Sequence, residues 1–137
     1  MRAPCPLPAR SCTLHVCTSC RTPGTPREPR ENRQGGQLHL ALREAIAASP
    51  LRDRVLVRDA ECLSLCPRPC GLALSSPGSW TYLFGDQRPD LSIPGILECI
   101  ALYLDRVDGF MARADRPPGL RASILGRVPP SEEASCT

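Results

Sequence analysis

Apolar residues recur along this chain with two periods. Leu38, Ala41, Leu42, Ala45 and Ile46 follow helical spacing and predict a helix over about residues 37–48, ended by Ser49-Pro50. Ile93, Ile96, Leu97, Ile100 and Leu104 form a second stripe and predict a helix over about 93–106. Ser92 is its cap, Pro94 falls in its first turn and Gly109 lies past its end. Short apolar runs predict strands at Leu14–Val16, Val55–Val57, Leu72–Leu74 and Trp80–Phe84. Trp80, Tyr82 and Phe84 alternate, so they share one face. The turn signal Ser76-Pro77-Gly78-Ser79 joins the last two strands as a hairpin.

The segments between are polar and rich in proline. Residues 1–12 read as a loose N-terminal tail and 13–110 as the folded domain. From 111 to 137 only Ile124-Leu125 interrupts an aperiodic stretch, which reads as an extended C-terminal tail. Residues 21–36 form a long loop without periodicity. The order strand, helix, strand, hairpin, helix defines an α/β fold: a small sheet with two helices packed on it. If the first two strands are parallel neighbours joined by the first helix, their C-terminal ends meet at one edge.

That edge matters because cysteines follow both strands. Cys17-Thr18-Ser19-Cys20 comes directly after the first, and Glu61-Cys62-Leu63-Ser64-Leu65-Cys66 after the second, with Cys70 beyond. Cys62, Cys66 and Cys70 have helical spacing, but Pro67 and Pro69 prevent an ordinary helical turn between the last two. Four thiolates from two loops suit tetrahedral zinc or an iron–sulfur cluster, and their softness disfavours magnesium or calcium. Two other readings stay open. Cys62, Cys66 and Cys70 can be small buried apolar residues. Cys17 and Cys20 can be a redox dithiol, although loop residues rather than a helix follow them. His15 and His39 read as structural, as does Cys99 in the second helix. Cys5, Cys12 and Cys136 fall in the tails. Trp80 and Tyr82 read as sheet packing.

Composition narrows the function. The 137 residues suggest one domain, which would bury roughly two-thirds of its unfolded surface. Nine cysteines, an odd number, argue against a simple disulfide framework. The chain has no lysine, as expected of arginine-favouring codon use in a GC-rich genome, and its net charge is +3. It lacks the basic stripe of a nucleic-acid binder. No apolar run reaches the roughly 18 residues of a membrane span. The proline-rich N-terminus does not read as a signal peptide, so a cytoplasmic location is expected. No phosphate-cradling glycine loop, zinc-protease motif or nucleophile elbow occurs.

The strand-following CTSC and CLSLC resemble the cysteine segments of thioredoxin-like [2Fe-2S] ferredoxins, and of the small complex I subunit that shares their fold. LHVCTSCR, ECLSLCPRPC, SWTYLFGD, LYLDRVDGFM and RPPGLRASILGRVPP resemble more closely a bacterial family of predicted metal-binding proteins without an assigned function, over about residues 13–130. The resemblance implies a thioredoxin-like β-α-β-β-β-α fold. It implies a [2Fe-2S] cluster on Cys17, Cys20, Cys62 and Cys66, electron transfer with a redox partner protein, and a homodimer as an option. Two features depart from the ferredoxins. Their first cysteine pair is more widely spaced, and they lack a counterpart of Cys70, which here is a fifth candidate ligand. Arg21 and Arg68 are candidates for steering an acidic partner and for bonding toward the sulfurs. Zinc, in a structural or metal-handling protein, is the alternative cofactor. A thiol–disulfide oxidoreductase using Cys17 and Cys20 is the alternative activity.

Overall fold

The computed structural model describes residues 11–18, 29, 33–60, 63 and 70–130. Strand β1 (Cys12–Cys17) is followed by helix α1 (Gln34–Ala47) and strand β2 (Val55–Ala60). The hairpin β3 (Leu72–Ser75) and β4 (Thr81–Phe84) comes next, then α2 (Ile93–Asp105), two short 3-10 turns and β5 (Ile124–Val128). The five strands form one sheet in the order β2-β1-β3-β4-β5. β1 and β2 are parallel; every other pairing is antiparallel. The fold is thus the mixed α/β sheet that the sequence predicts, with α1 as the crossover between parallel strands.

Side-chain alternation gives the sheet one buried face. Leu14 and Val16 pair with Leu74 and Leu72, which in turn pair with Tyr82 and Phe84. All six are at most 2% exposed. Helix α1 covers β1 and β2 and touches α2, so both helices lie on this face. Leu38, Leu42 and Ile46, four apart on α1, supply one side of the core. Ile96, Cys99, Ile100, Tyr103 and Leu104 supply the other. Ser49 ends α1: its hydroxyl donates to the Ile46 carbonyl (2.8 Å) and accepts from the Leu51 N–H (3.1 Å). Pro50 follows it.

The segment after α2 differs from its reading as a tail. Met111 and Leu120 are core residues, and β5 closes the sheet against β4. Buried hydrogen bonds hold this segment. Tyr82 accepts the Met111 N–H at 2.8 Å, and Tyr103 donates to the Trp80 carbonyl. The 5%-exposed Arg116 donates to the carbonyls of Leu120 (3.0 Å), Met111 (3.2 Å) and Arg121 (3.4 Å). β5 shows no alternation because it is a half-exposed edge strand whose pairing with β4 shifts register between Leu83 and Phe84. At the other end, β1 starts at Cys12. That cysteine is a core residue rather than part of a tail, and its N–H donates to the Arg54 carbonyl (2.9 Å).

Tyr82 is fully buried and stacks edge-on against Tyr103. Trp80 lies against Phe110, with the Arg127 guanidinium 5.0 Å from its ring centre. Both residues therefore pack, as expected.

Gly109 turns the chain after α2 with φ +75°, and an added Cβ would meet the Tyr103 ring at 2.5 Å. Gly109→Ala is predicted to cost roughly 3 kcal/mol, from left-handed strain plus overpacking. Gly119→Ala, with nothing within 4 Å of the new carbon, should stay within about 0.5 kcal/mol of wild type. Urea denaturation of the two variants checks both values.

Candidate metal centre

The parallel pairing places Cys17, the last residue of β1, beside Ala60, the last residue of β2. One residue further, the Thr18 N–H donates to the Ala60 carbonyl at 2.9 Å, and the Thr18 hydroxyl donates to the same oxygen at 3.1 Å. β3 runs antiparallel to β1, so it begins at this edge. The Cys17 N–H donates to the Gly71 carbonyl at 3.0 Å, which puts Cys70 next to the strand ends. Cys70 and Gln87 exchange backbone hydrogen bonds of 3.3 Å in both directions. Asp86, with φ +58°, is the extra residue between the β3–β4 ladder and that pair. Four strands therefore end or begin at one edge of the sheet.

Cys17 and Cys70 are both fully buried there. Cys70 lies two residues before β3 begins at Leu72. Cys17 stands two residues after His15 on the face opposite to Leu14 and Val16, where Thr13 and His15 are only partly buried. Cys17 thus breaks the alternation of its strand: a thiol at an outward position is wholly withdrawn from water. Cys20, Cys62 and Cys66, with Arg21 and Arg68, lie outside the described residues. Among the described residues no group of three or more His, Cys, Asp or Glu side chains is arranged to hold a metal ion. Chain length bounds how far the next cysteines can be from the strand ends. At no more than about 3.6 Å per residue, Cys20 lies within about 11 Å of Cys17 and Cys62 within about 7 Å of Ala60.

Both helices start at this edge. α1 leaves from the β1 side and ends near Leu51 and Arg54, at the far edge. α2 runs back along the sheet until Tyr103 reaches Trp80 at the start of β4. Neither helix has a side-chain cap at its N-terminus or an acidic residue in its first turn. The partial positive charge of a helix N-terminus favours negative charge, and both helices direct theirs toward this edge.

The other titratable candidates are elsewhere. Cys99 lies in α2 with its Sγ 3.6 Å from Met111 Sδ. Burial pushes its thiol up from 9.0 to about 12, against the opposing pull of Arg116 and with a small push from Glu98. His39 sits on α1; desolvation lowers its pKa, Asp59 opposes this and Arg43 adds to it. His15 lies mid-strand in β1. None of these joins the cysteine edge. Thr18, by contrast, is at its centre and was not singled out by sequence pattern. Its only signal is a hydroxyl residue placed directly after a strand-ending cysteine.

A five-stranded mixed sheet with two helices on one face, and cysteines where its parallel strands end, defines a thioredoxin-like α/β domain. The chain belongs to the family of proteins of unknown function DUF1636, whose profile matches residues 14–130. Its fold is similar to that of a thioredoxin-like [2Fe-2S] ferredoxin from Aquifex aeolicus, with a TM-score of 0.59 and 19% identity over 89% of this chain and 96% of that one. A 1.5 Å crystal structure of the wild-type Aquifex aeolicus ferredoxin gives 0.55 and 17% over 86% and 99%. A cysteine-to-serine variant of it gives 0.53 and 15% over 84% and 98%. No curated protein matches the chain.

Cys99 supplies a check on this packing. In the native protein at pH 8 it should resist iodoacetamide and react only on unfolding, as peptide mass spectrometry can read. The fold prefers the neutral thiol, so this contribution to stability is whole below pH 9 and declines as pH rises toward 12. The slope is about 1.4 kcal/mol per pH unit. Cys99→Ala should remove that part of the alkaline decline.

Proposed function

We propose that this protein carries a [2Fe-2S] cluster on Cys17, Cys20, Cys62 and Cys66 and transfers electrons to or from a partner protein. The observation that carries this reading is the Cys17–Ala60 register. It starts both cysteine segments from neighbouring strand ends, with Cys17 already sealed from water. The donor set fits the group. Four thiolates from two short segments are what such a cluster takes, and a site with two positive helix ends suits its net negative charge. When bound, the cluster supplies one-electron redox chemistry. The chain would hold it and keep water from the Cys17 sulfur.

The fold likeness to ferredoxins supports this reading and places no ligand. A reducing cytoplasm would keep the thiols available. Among the described residues no helix is long and apolar enough to cross a membrane. Arg21 and Arg68, within the cysteine segments, would face an acidic partner surface. A homodimer is part of the same proposal.

Zinc is the second reading, favoured by one observation. C-x2-C and C-x3-C both fall within the ligand spacing of structural zinc sites, whereas the ferredoxins separate their first pair more widely. A dithiol enzyme using Cys17 and Cys20 is the third, and it alone would work without metal. Cys70, fully buried beside the strand ends like Cys17, is the fifth candidate ligand in each of the metal readings.

Anaerobic purification followed by an absorption spectrum and iron, sulfide and zinc analysis separates the readings. The cluster predicts a red-brown protein with about two irons and matching sulfide. A colourless protein with about one zinc selects the second reading, and a metal-free protein the third. Cys17→Ser and Cys62→Ser should each cost more metal affinity than the roughly 10–100-fold lost with an outer-shell partner. Cys70→Ala decides the fifth position: lost metal content makes Cys70 a ligand, and full metal content with about 1 kcal/mol less stability makes it core packing.

A further inference from the structure

We propose that Thr18 is a positioning residue for the metal centre, locking together the two chain segments that carry its ligands. The inference rests on the metal-binding reading above and assigns a role to a residue that donates nothing to the metal. Thr18 is 8% exposed and is the last described residue before Cys20. Ala60 is two residues before Cys62. Both hydrogen bonds across the gap run from Thr18 to one atom, the Ala60 carbonyl oxygen, at 2.9 Å from the amide and 3.1 Å from the hydroxyl.

The second bond has no acceptor to rescue. The Ala60 carbonyl already accepts from the Thr18 amide, so removing the hydroxyl leaves no backbone acceptor without a partner. What the hydroxyl adds is restraint. One donor leaves the Ala60 peptide, just beyond the end of the ladder, free to roll, whereas two donors sharing the lone pairs of one carbonyl oxygen hold the plane of that peptide, and the chain leads from it through Glu61 to Cys62. Ligand sulfurs on both sides of the junction must hold fixed separations, so a roll there is felt at the metal before it is felt in the core. The threonine methyl is retained by valine, which removes only the hydroxyl; serine keeps the hydroxyl and removes only the methyl.

The test is the rate at which anaerobically purified full-length protein loses its metal to a chelator. Wild type is compared with Thr18→Val, Thr18→Ser and Ser49→Ala, and the urea midpoint is measured on each. Ser49 is the control because its hydroxyl also bonds a backbone carbonyl, but at the far edge of the sheet. Thr18→Val should release metal roughly tenfold faster, the lower end of what outer-shell partners contribute. Thr18→Ser should stay within about twofold of wild type, and Ser49→Ala should match it despite a comparable fall in urea midpoint. Thr18→Ala is read in the same way if Thr18→Val does not fold. Release from Thr18→Val at the wild-type rate overturns the proposal, as does equal acceleration in Ser49→Ala. In both cases the metal reading stands. Wild-type protein that holds no metal overturns the metal reading, and the role of Thr18 with it.

Discussion

Parallel pairing of β1 with β2 is the constraint on which the rest of this structure depends. Parallel strands cannot be joined by a tight turn, so the chain must cross back through a helix, and α1 does so over the face made by Leu14, Val16 and Val55. The same pairing sends both strands off the sheet at one edge, in register at Cys17 and Ala60. A one-residue slip would turn Leu14 and Val16 out of the core. The register that buries the core is therefore the register that brings the two cysteine segments together. Folding energy from apolar burial thus sets the starting points of both cysteine segments.

The second half of the sheet supports that edge. β3 begins beside Cys17, and the bulge at Asp86 lets Gln87 pair with Cys70, extending the hairpin up to the strand ends. Gln87 is itself held, donating to the Gly85 carbonyl at 2.7 Å and to the Ser123 hydroxyl at 3.1 Å. The segment after α2 thus reaches the cysteine edge through a short chain of buried polar contacts. In a buried setting such contacts are costly to leave unmade, which makes the register of β4, β5 and the 3-10 turns mutually dependent. Tyr82, Tyr103 and Arg116 play the same part at the far side.

The strongly periodic parts were legible from the sequence. The stripes Leu38–Ile46 and Ile93–Leu104 gave both helices within about three residues of their ends, because each presents one apolar face to a sheet. The strands before the cysteines were legible, and with them the shared edge. β5 was not, since half-exposed Ile124, Leu125 and Gly126 carry no alternation. Cys12 and Met111 were also missed as core residues, one among prolines and the other beyond a helix end, where local pattern carries no burial signal. Thr18 was invisible for a different reason: its role comes from a carbonyl 42 residues away. Cys70 is a ligand candidate by spacing, and the structure adds that it is fully buried beside the strand ends.

The central claim is that one metal centre is held by sulfur from both cysteine segments. X-ray absorption at the metal edge of anaerobically purified protein tests it most directly, because it counts the neighbours of each metal whichever metal is present. The account predicts a shell made only of sulfur at about 2.3 Å, reduced in Cys17→Ser and in Cys62→Ser alike. A shell containing nitrogen or oxygen in the wild-type protein, or one that changes in only one of those variants, would contradict it.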